Sequence, residues 1–175
     1  MSEASSMERL AAALERLVTA ISVPVIWLAL ATLLGATLMG VLQFSVVAID
    51  AGIMDELATY AFVALIMVSL GLTYLRNGHV RIDFLADRFD ARARAWIEVV
   101  GIVLALLPLS LLFVWDGGVN TWLSYRIGEA SDEFGGLPWR WILKAFFPAG
   151  FALLLLAGAA RLLRLGAFLA NGRRE

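Results

Sequence analysis

Few side chains in this sequence could carry out chemistry. There is no cysteine and a single histidine, His79. These counts exclude disulfides, iron–sulfur clusters, a haem held by two histidines of this chain and a zinc site of several histidines. A lone imidazole also lacks the nucleophile or metal that catalysis requires. Asp83 follows four residues later and could pair with His79 on a short helix. We therefore predict no enzyme and no cofactor, and at His79 and Asp83 a structural turn that also contacts a partner.

Acidic residues are concentrated in a second segment, at Glu129, Asp132 and Glu133. Their carboxylates could bind a hard cation, but the spacing is not that of an EF-hand. Two other interpretations are favoured and remain open. The segment, with Arg140 after it, is either a docking loop for an outer partner or a rigid turn before the next apolar stretch.

The elements that position these residues are predicted to be membrane helices. Of the 175 residues, 61% are hydrophobic, and the mean hydropathy is +0.84, both typical of a membrane protein. The net charge of −1 gives no electrostatic basis for binding nucleic acid. Asp, Glu, Lys and Arg are absent from residues 17–49, 57–75, 99–115 and 145–160.

A span needs about 20 apolar residues, so the fold class is an all-α integral membrane protein with one domain, residues 1–175. The four spans are predicted near residues 23–45, 57–76, 97–116 and 143–163. Interfacial aromatic and basic residues anchor such helices at the lipid head groups. The expected anchors are Trp115, Trp139, Trp141, Lys144 and Arg161.

An amphipathic helix is predicted over residues 5–20, lying at the membrane surface. Its apolar face recurs at three- and four-residue spacing, at Met7, Leu10, Leu14, Leu17 and Ile21. The alternative is a simple extension of the first membrane helix, with the two merging at a bend near Pro24.

The basic residues predict the orientation. Eleven of the fourteen Lys and Arg residues lie in the two tails and the second loop, and three lie in the third loop. By the positive-inside rule both termini are cytoplasmic. The N-terminus lacks the basic region and cleavage site of a signal peptide, so we expect the first segment to be retained.

Local signals predict where several helices begin and end. Asp55 and Glu56 stand where carboxylates cap the second helix, or alternatively contact a partner at the outer face. Asp90 is the expected N-cap of the third helix. That helix is predicted to run beyond the membrane to about Ile127 and to end at Gly128.

The first span carries small residues on neighbouring rows, which allow close helix approach. These rows pack either within the chain or against another subunit. They consist of Thr32, Ala36 and Gly40, and of Ala31 and Gly35.

Ionisable groups lie only at or beyond the ends of the predicted spans. Ion-coupled transporters place such groups inside the membrane. We therefore expect the chain to transport nothing by itself.

Two segments resemble a known family, the DctQ-type small membrane subunit of tripartite ATP-independent periplasmic (TRAP) transporters. The first runs from Asp55 to Asp83 and includes Asn77-Gly78-His79. The second runs from Gly128 to Trp141 and on through Lys144 to Pro148, and it is similar to the mannitol/chloroaromatic branch.

The resemblance implies a static scaffold subunit in the bacterial inner membrane. Its implied partners are membrane lipids, a large permease subunit and a periplasmic binding protein that delivers an organic acid. The large subunit would move sodium and substrate by an elevator-type motion. The alternatives are a membrane anchor or assembly subunit of a redox complex, which needs cofactor ligands, and a stand-alone small channel or exporter.

Overall fold

The computed structural model describes residues 2–43, 51–76, 90–132 and 137–171. In these ranges the chain forms four long helices: α1, Ser2–Gln43; α2, Ala51–Leu75; α3, Ala91–Arg126; and α4, Arg140–Asn171. Each is long and apolar enough to cross a membrane. The predicted all-helical class with four candidate spans is therefore confirmed.

The helices extend beyond the predicted spans, which were placed as the membrane-crossing stretches and not as the ends of the helices. A helix can continue past the hydrocarbon region with charged side chains in water, because its backbone hydrogen bonds are made within the helix. The second helix begins at Ala51, so Asp55 and Glu56 lie inside it. The prediction that they cap its start is wrong.

α1 is one continuous helix that includes Pro24, as in the alternative of a merged helix. Its N-terminal half turns Ala11, Val18 and Ser22 into the bundle, each fully buried. Leu10 and Leu17 of the predicted apolar face are 54% and 47% exposed. The surface location of residues 5–20 stays a prediction.

α3 begins and ends as predicted. The Ala93 N–H donates to Asp90 Oδ1 at 2.8 Å, which caps the helix, and Gly128 adopts a φ of +62° just after its last turn. Residues Ile102–Leu106 form a π-helical turn ahead of Pro108. Proline disturbs the preceding turn of a helix, and a π turn absorbs that misfit.

α4 is central to the bundle. It contacts α1, α2 and α3, and α1 also packs along α2, whereas the principal contacts of α3 are with α4. The backbones of α2 and α4 approach closely where glycine permits it, at Gly71 against Leu153 and at Gly150 against Met67. On the other side of α4, Gly117 of α3 packs against Pro148.

Candidate functional site

Two charged layers lie at opposite ends of the bundle. The terminal end is where α1 begins and α4 ends, and its layer contains Glu15, Glu98, Arg161 and Arg164. The loop end contains the α3–α4 connection, and its layer contains Glu56, Glu129, Asp132, Arg140 and Lys144.

The separation of the layers matches a bilayer. Along α4, the charge-free stretch from one layer to the other, residues 145–160, is about 24 Å long at 1.5 Å per residue. The hydrocarbon region of a membrane is about 30 Å thick. On α4, the two layers are therefore about as far apart as the two boundaries of a membrane span.

The terminal layer joins three helices through two forked ion pairs. Arg161 donates to Glu98 through Nε at 2.6 Å and Nη2 at 2.9 Å. Arg164 donates to Glu15 through the same two nitrogens, both at 2.5 Å. Arg161, expected to reach lipid head groups, is thus engaged with α3. Sequence reasoning missed Glu15, Glu98 and Arg164, because no local pattern marks a pair 149 positions apart.

In the loop layer, Glu129 is the shared acceptor. Lys144 Nζ donates to its Oε2 at 2.5 Å, and Arg140 Nε lies 3.9 Å from its Oε1. The hydrogen bond from Lys144 is the main reason that the pKa of Glu129 is lowered, because it stabilises the charged form. Arg140 Nη1 also lies 3.8 Å from Asp132.

The backbone of the same connection is fastened to the helices around it. The Arg140 N–H donates to the Glu129 carbonyl at 3.2 Å, and the Ser131 N–H donates to the Leu137 carbonyl at 3.2 Å. From α2, Glu56 Oε2 accepts the Leu137 N–H at 2.5 Å. The structure thus brings together Glu56, Glu129 and Arg140 and gives the connection the contacts of a rigid turn. Asp55 remains exposed.

The remaining predicted anchors differ in exposure. Trp115 is 76% exposed and Trp139 is also exposed, as an interfacial side chain requires. Trp141 is partly buried and packs edge-to-face on Tyr125 with ring centroids 5.5 Å apart.

The small-residue rows of α1 divide between the bundle interior and its surface. Ala36 is buried, with 5% exposure, and the Thr32 hydroxyl donates to the Leu28 carbonyl of its own helix at 2.9 Å. Among the described residues, a Cβ added at Gly35 or Gly40 would meet no atom within 4 Å, and Ala31 is exposed. Part of this surface is therefore open to a neighbouring helix.

His79, Asp83 and Glu133 lie outside the described residues. Within the ranges that are described, no group of three or more His, Asp or Glu side chains is placed to hold a metal ion.

A comparison with protein families gives one match. The family model described as "Tripartite ATP-independent periplasmic transporters, DctQ component" matches residues 47–167, which is more than half of the chain. No curated protein and no solved structure matches the chain.

Proposed function

Because the chain belongs to the family of DctQ components of tripartite ATP-independent periplasmic transporters, we propose that it is the small scaffold subunit of a secondary active importer. In this proposal it supports a large elevator-type permease that moves an organic acid with a sodium gradient. A periplasmic binding protein delivers the substrate. The family is a transporter component rather than an enzyme family, and the match gives no support to an anchor of a redox complex.

The observation that carries the scaffold role is that the predicted spans have no charge in their interiors, while charges near their ends are paired within the chain. Arg161, Arg164 and Lys144 are each engaged by a carboxylate of the same chain. Residues 99–115 of α3 and 145–160 of α4 contain no Asp, Glu, Lys, Arg or His that could bind or relay a cation. Such a subunit provides packing surface and lipid anchorage, while ion and substrate sites belong to its partner.

The open surface of α1 is the proposed contact with the large subunit. Gly35 and Gly40 leave space beside the helix, and small residues let a partner helix approach closely. A Cβ at either position meets no atom of the described residues. This makes Gly35→Leu and Gly40→Leu clean probes of the complex.

The proposed orientation has both termini in the cytoplasm of a bacterial cell and the domain in its inner membrane. It is supported by the distribution of Lys and Arg. The loop layer, with Asp55, Glu56, Glu129 and Arg140, then faces the periplasm, where it contacts the binding protein. Residues 5–20 widen the footprint of the scaffold at the opposite face. Membership of the mannitol/chloroaromatic branch stays a prediction.

The test of the scaffold role is co-purification with the large permease subunit of the same transporter. The wild type should retain the permease through size-exclusion chromatography. Gly40→Leu should lose it while keeping the same membrane yield and thermal stability. Gly118→Leu is the matched control, since Gly118 of α3 also has no neighbour within 4 Å. Equal retention by both variants refutes the α1 interface, and robust sodium-dependent uptake by this chain alone refutes the scaffold role.

Orientation is testable because the sequence has no cysteine. A cysteine at Ser131 should react with a membrane-impermeant thiol reagent applied to spheroplasts, whereas one at Ala91 should react only after lysis. The opposite pattern would reverse the proposed topology.

A further inference from the structure

A polar pocket of about 330 Å³ opens at the terminal end, where α1, α2 and α4 meet. It lies at the level of the terminal charged layer, so its position is the boundary between hydrocarbon and head groups. Its polar lining consists of Glu15, Thr19, Tyr74, Arg76, Arg161 and Arg164.

The charged side chains that line the pocket are three arginines and one glutamate. Arg161 and Arg164 are each held by two hydrogen bonds to a carboxylate. A guanidinium has five N–H donors, so three donors remain on each arginine after those bonds. The ion pairs thus fix two arginines in position without exhausting their capacity to donate.

Arg76 supplies the third cation from a different helix. It follows the last residue of α2, its side chain is exposed, and its backbone N–H is bonded to the Leu72 carbonyl at 3.1 Å. The pocket therefore presents guanidinium groups from α2 and α4 to one small volume. Such planar donors match the oxygens of a phosphate group.

We propose that this pocket binds the phosphodiester head group of an anionic phospholipid. Three features converge on it: guanidinium groups from two helices, a pocket of head-group size, and a location at the level of the terminal charged layer. Basic pockets between transmembrane helices bind acidic head groups by this chemistry. The assignment to the cytoplasmic leaflet rests on the proposed orientation, whereas the site itself does not.

The bound lipid would sit against the side of the bundle where Thr19 of α1 and Leu72 of α2 also line the pocket. A lipid is delivered to this depth by its own acyl chains, whereas free phosphate must leave bulk water to enter a partly apolar cleft. The lipid is therefore the occupant to which the proposal commits.

The test uses the full chain in detergent micelles and native mass spectrometry. The probes are phosphatidylglycerol, phosphatidylethanolamine and inorganic phosphate, each added alone. The wild type should retain phosphatidylglycerol in preference to phosphatidylethanolamine. Arg76→Gln should weaken phosphatidylglycerol binding roughly tenfold, the loss expected for one charge-assisted hydrogen bond. The matched control, Arg94→Gln, removes an exposed arginine of α3 at the same end that does not line the pocket, and should change binding by less than about twofold.

Three results would overturn the proposal. Equal losses in the two variants would mean a general attraction to the basic surface. Equal retention of the two lipids would remove the requirement for negative charge. Binding of inorganic phosphate that depends on Arg76 and matches that of the lipid would make free phosphate the ligand.

Arg76→Lys separates a folding defect from a lost ligand contact. Lysine keeps the positive charge but lacks the planar, two-pronged donor geometry of the guanidinium. Arg76→Lys should therefore bind phosphatidylglycerol with intermediate affinity and unfold at the same temperature as the wild type. If both Arg76 variants unfold at lower temperature and their binding falls only in proportion, Arg76 is structural and the proposal fails. The assay contains no permease and no uptake step, so its outcome is independent of the scaffold role.

Discussion

The close approach of α2 and α4 leads to a quantitative prediction for Gly71→Ala. A Cβ added at Gly71 would lie 2.8 Å from the carbonyl oxygen of Leu153 and 2.9 Å from its carbon. An ordinary contact is 3.4 Å or longer, so the two helices must separate locally by about 0.6 Å. Both offending atoms belong to the backbone and cannot rotate away. Overpacking of this kind costs about 1–3 kcal/mol.

Gly118→Ala is the reference that isolates the steric cost. Gly118 also lies inside a long helix, but a Cβ there has no neighbour within 4 Å. Each substitution removes a glycine from a helix interior, a change that favours the helix by up to about 1 kcal/mol. This gain is common to both variants. The difference between their unfolding free energies therefore measures the clash, and Gly71→Ala should be less stable by about 1–3 kcal/mol.

The assay is equilibrium unfolding of the purified chain in mixed micelles, with the mole fraction of SDS as the denaturant and helical circular dichroism as the signal. Gly150→Ala should behave like Gly71→Ala, because its Cβ would meet the Met67 backbone. If Gly71→Ala and Gly118→Ala unfold at the same SDS fraction, the α2–α4 contact is looser than described and the reasoning is wrong.

Three further predictions concern the ends of the helices and the charged layers. Because the pKa of Glu129 is lowered, its ion pair should stabilise the fold at pH 7. As the pH falls, this stabilisation should begin to decrease near the ordinary pKa of 4.5 and should be lost as the pH passes through the lowered pKa of the folded state. The unfolding temperatures of the wild type and of Glu129→Gln should therefore approach each other on acidification. A difference in unfolding temperature that stays constant with pH would contradict this. Glu98→Gln should destabilise the chain by about 1–3 kcal/mol by leaving Arg161 without its carboxylate, and the double replacement with Arg161→Gln should recover part of the loss in the SDS assay. Asp90→Ala should cost about 1 kcal/mol by removing the α3 cap, whereas Asp90→Asn should cost far less, and equal losses would show that the cap is not the cause.

Signals confined to one turn of helix were predictable from the sequence. Asp90 caps α3 because its carboxylate reaches an N–H three residues later, and Gly128 follows the end of that helix because glycine tolerates positive φ. The start of α2 was predicted too late in the sequence. Asp55 and Glu56 indicate where an apolar span begins, but the helix itself starts before them, at Ala51.

Features that depend on distant residues were not predictable. The apolar face of residues 5–20 was predicted to lie against the membrane surface, and nothing in the sequence indicated that Ala11, Val18 and Ser22 would be the buried positions. Which face turns inward is decided by α2 and α4, which pack against α1. The Glu15–Arg164 pair likewise exists only once the first and last helices meet.

The central position of α4 has a consequence for biosynthesis. Of the four helices it is synthesised last, yet it is the principal packing partner of α3 and supplies the arginine of both forked ion pairs. α1 and α2 can pack together as soon as both are inserted. α3 remains surrounded by lipid until residues 140–171 are inserted and provide its principal packing partner. A nascent chain stopped before Arg140 would carry Glu15 and Glu98 without their arginines. Packing of α3 into the bundle is thus delayed until α4 has been inserted, because α4 is its principal partner.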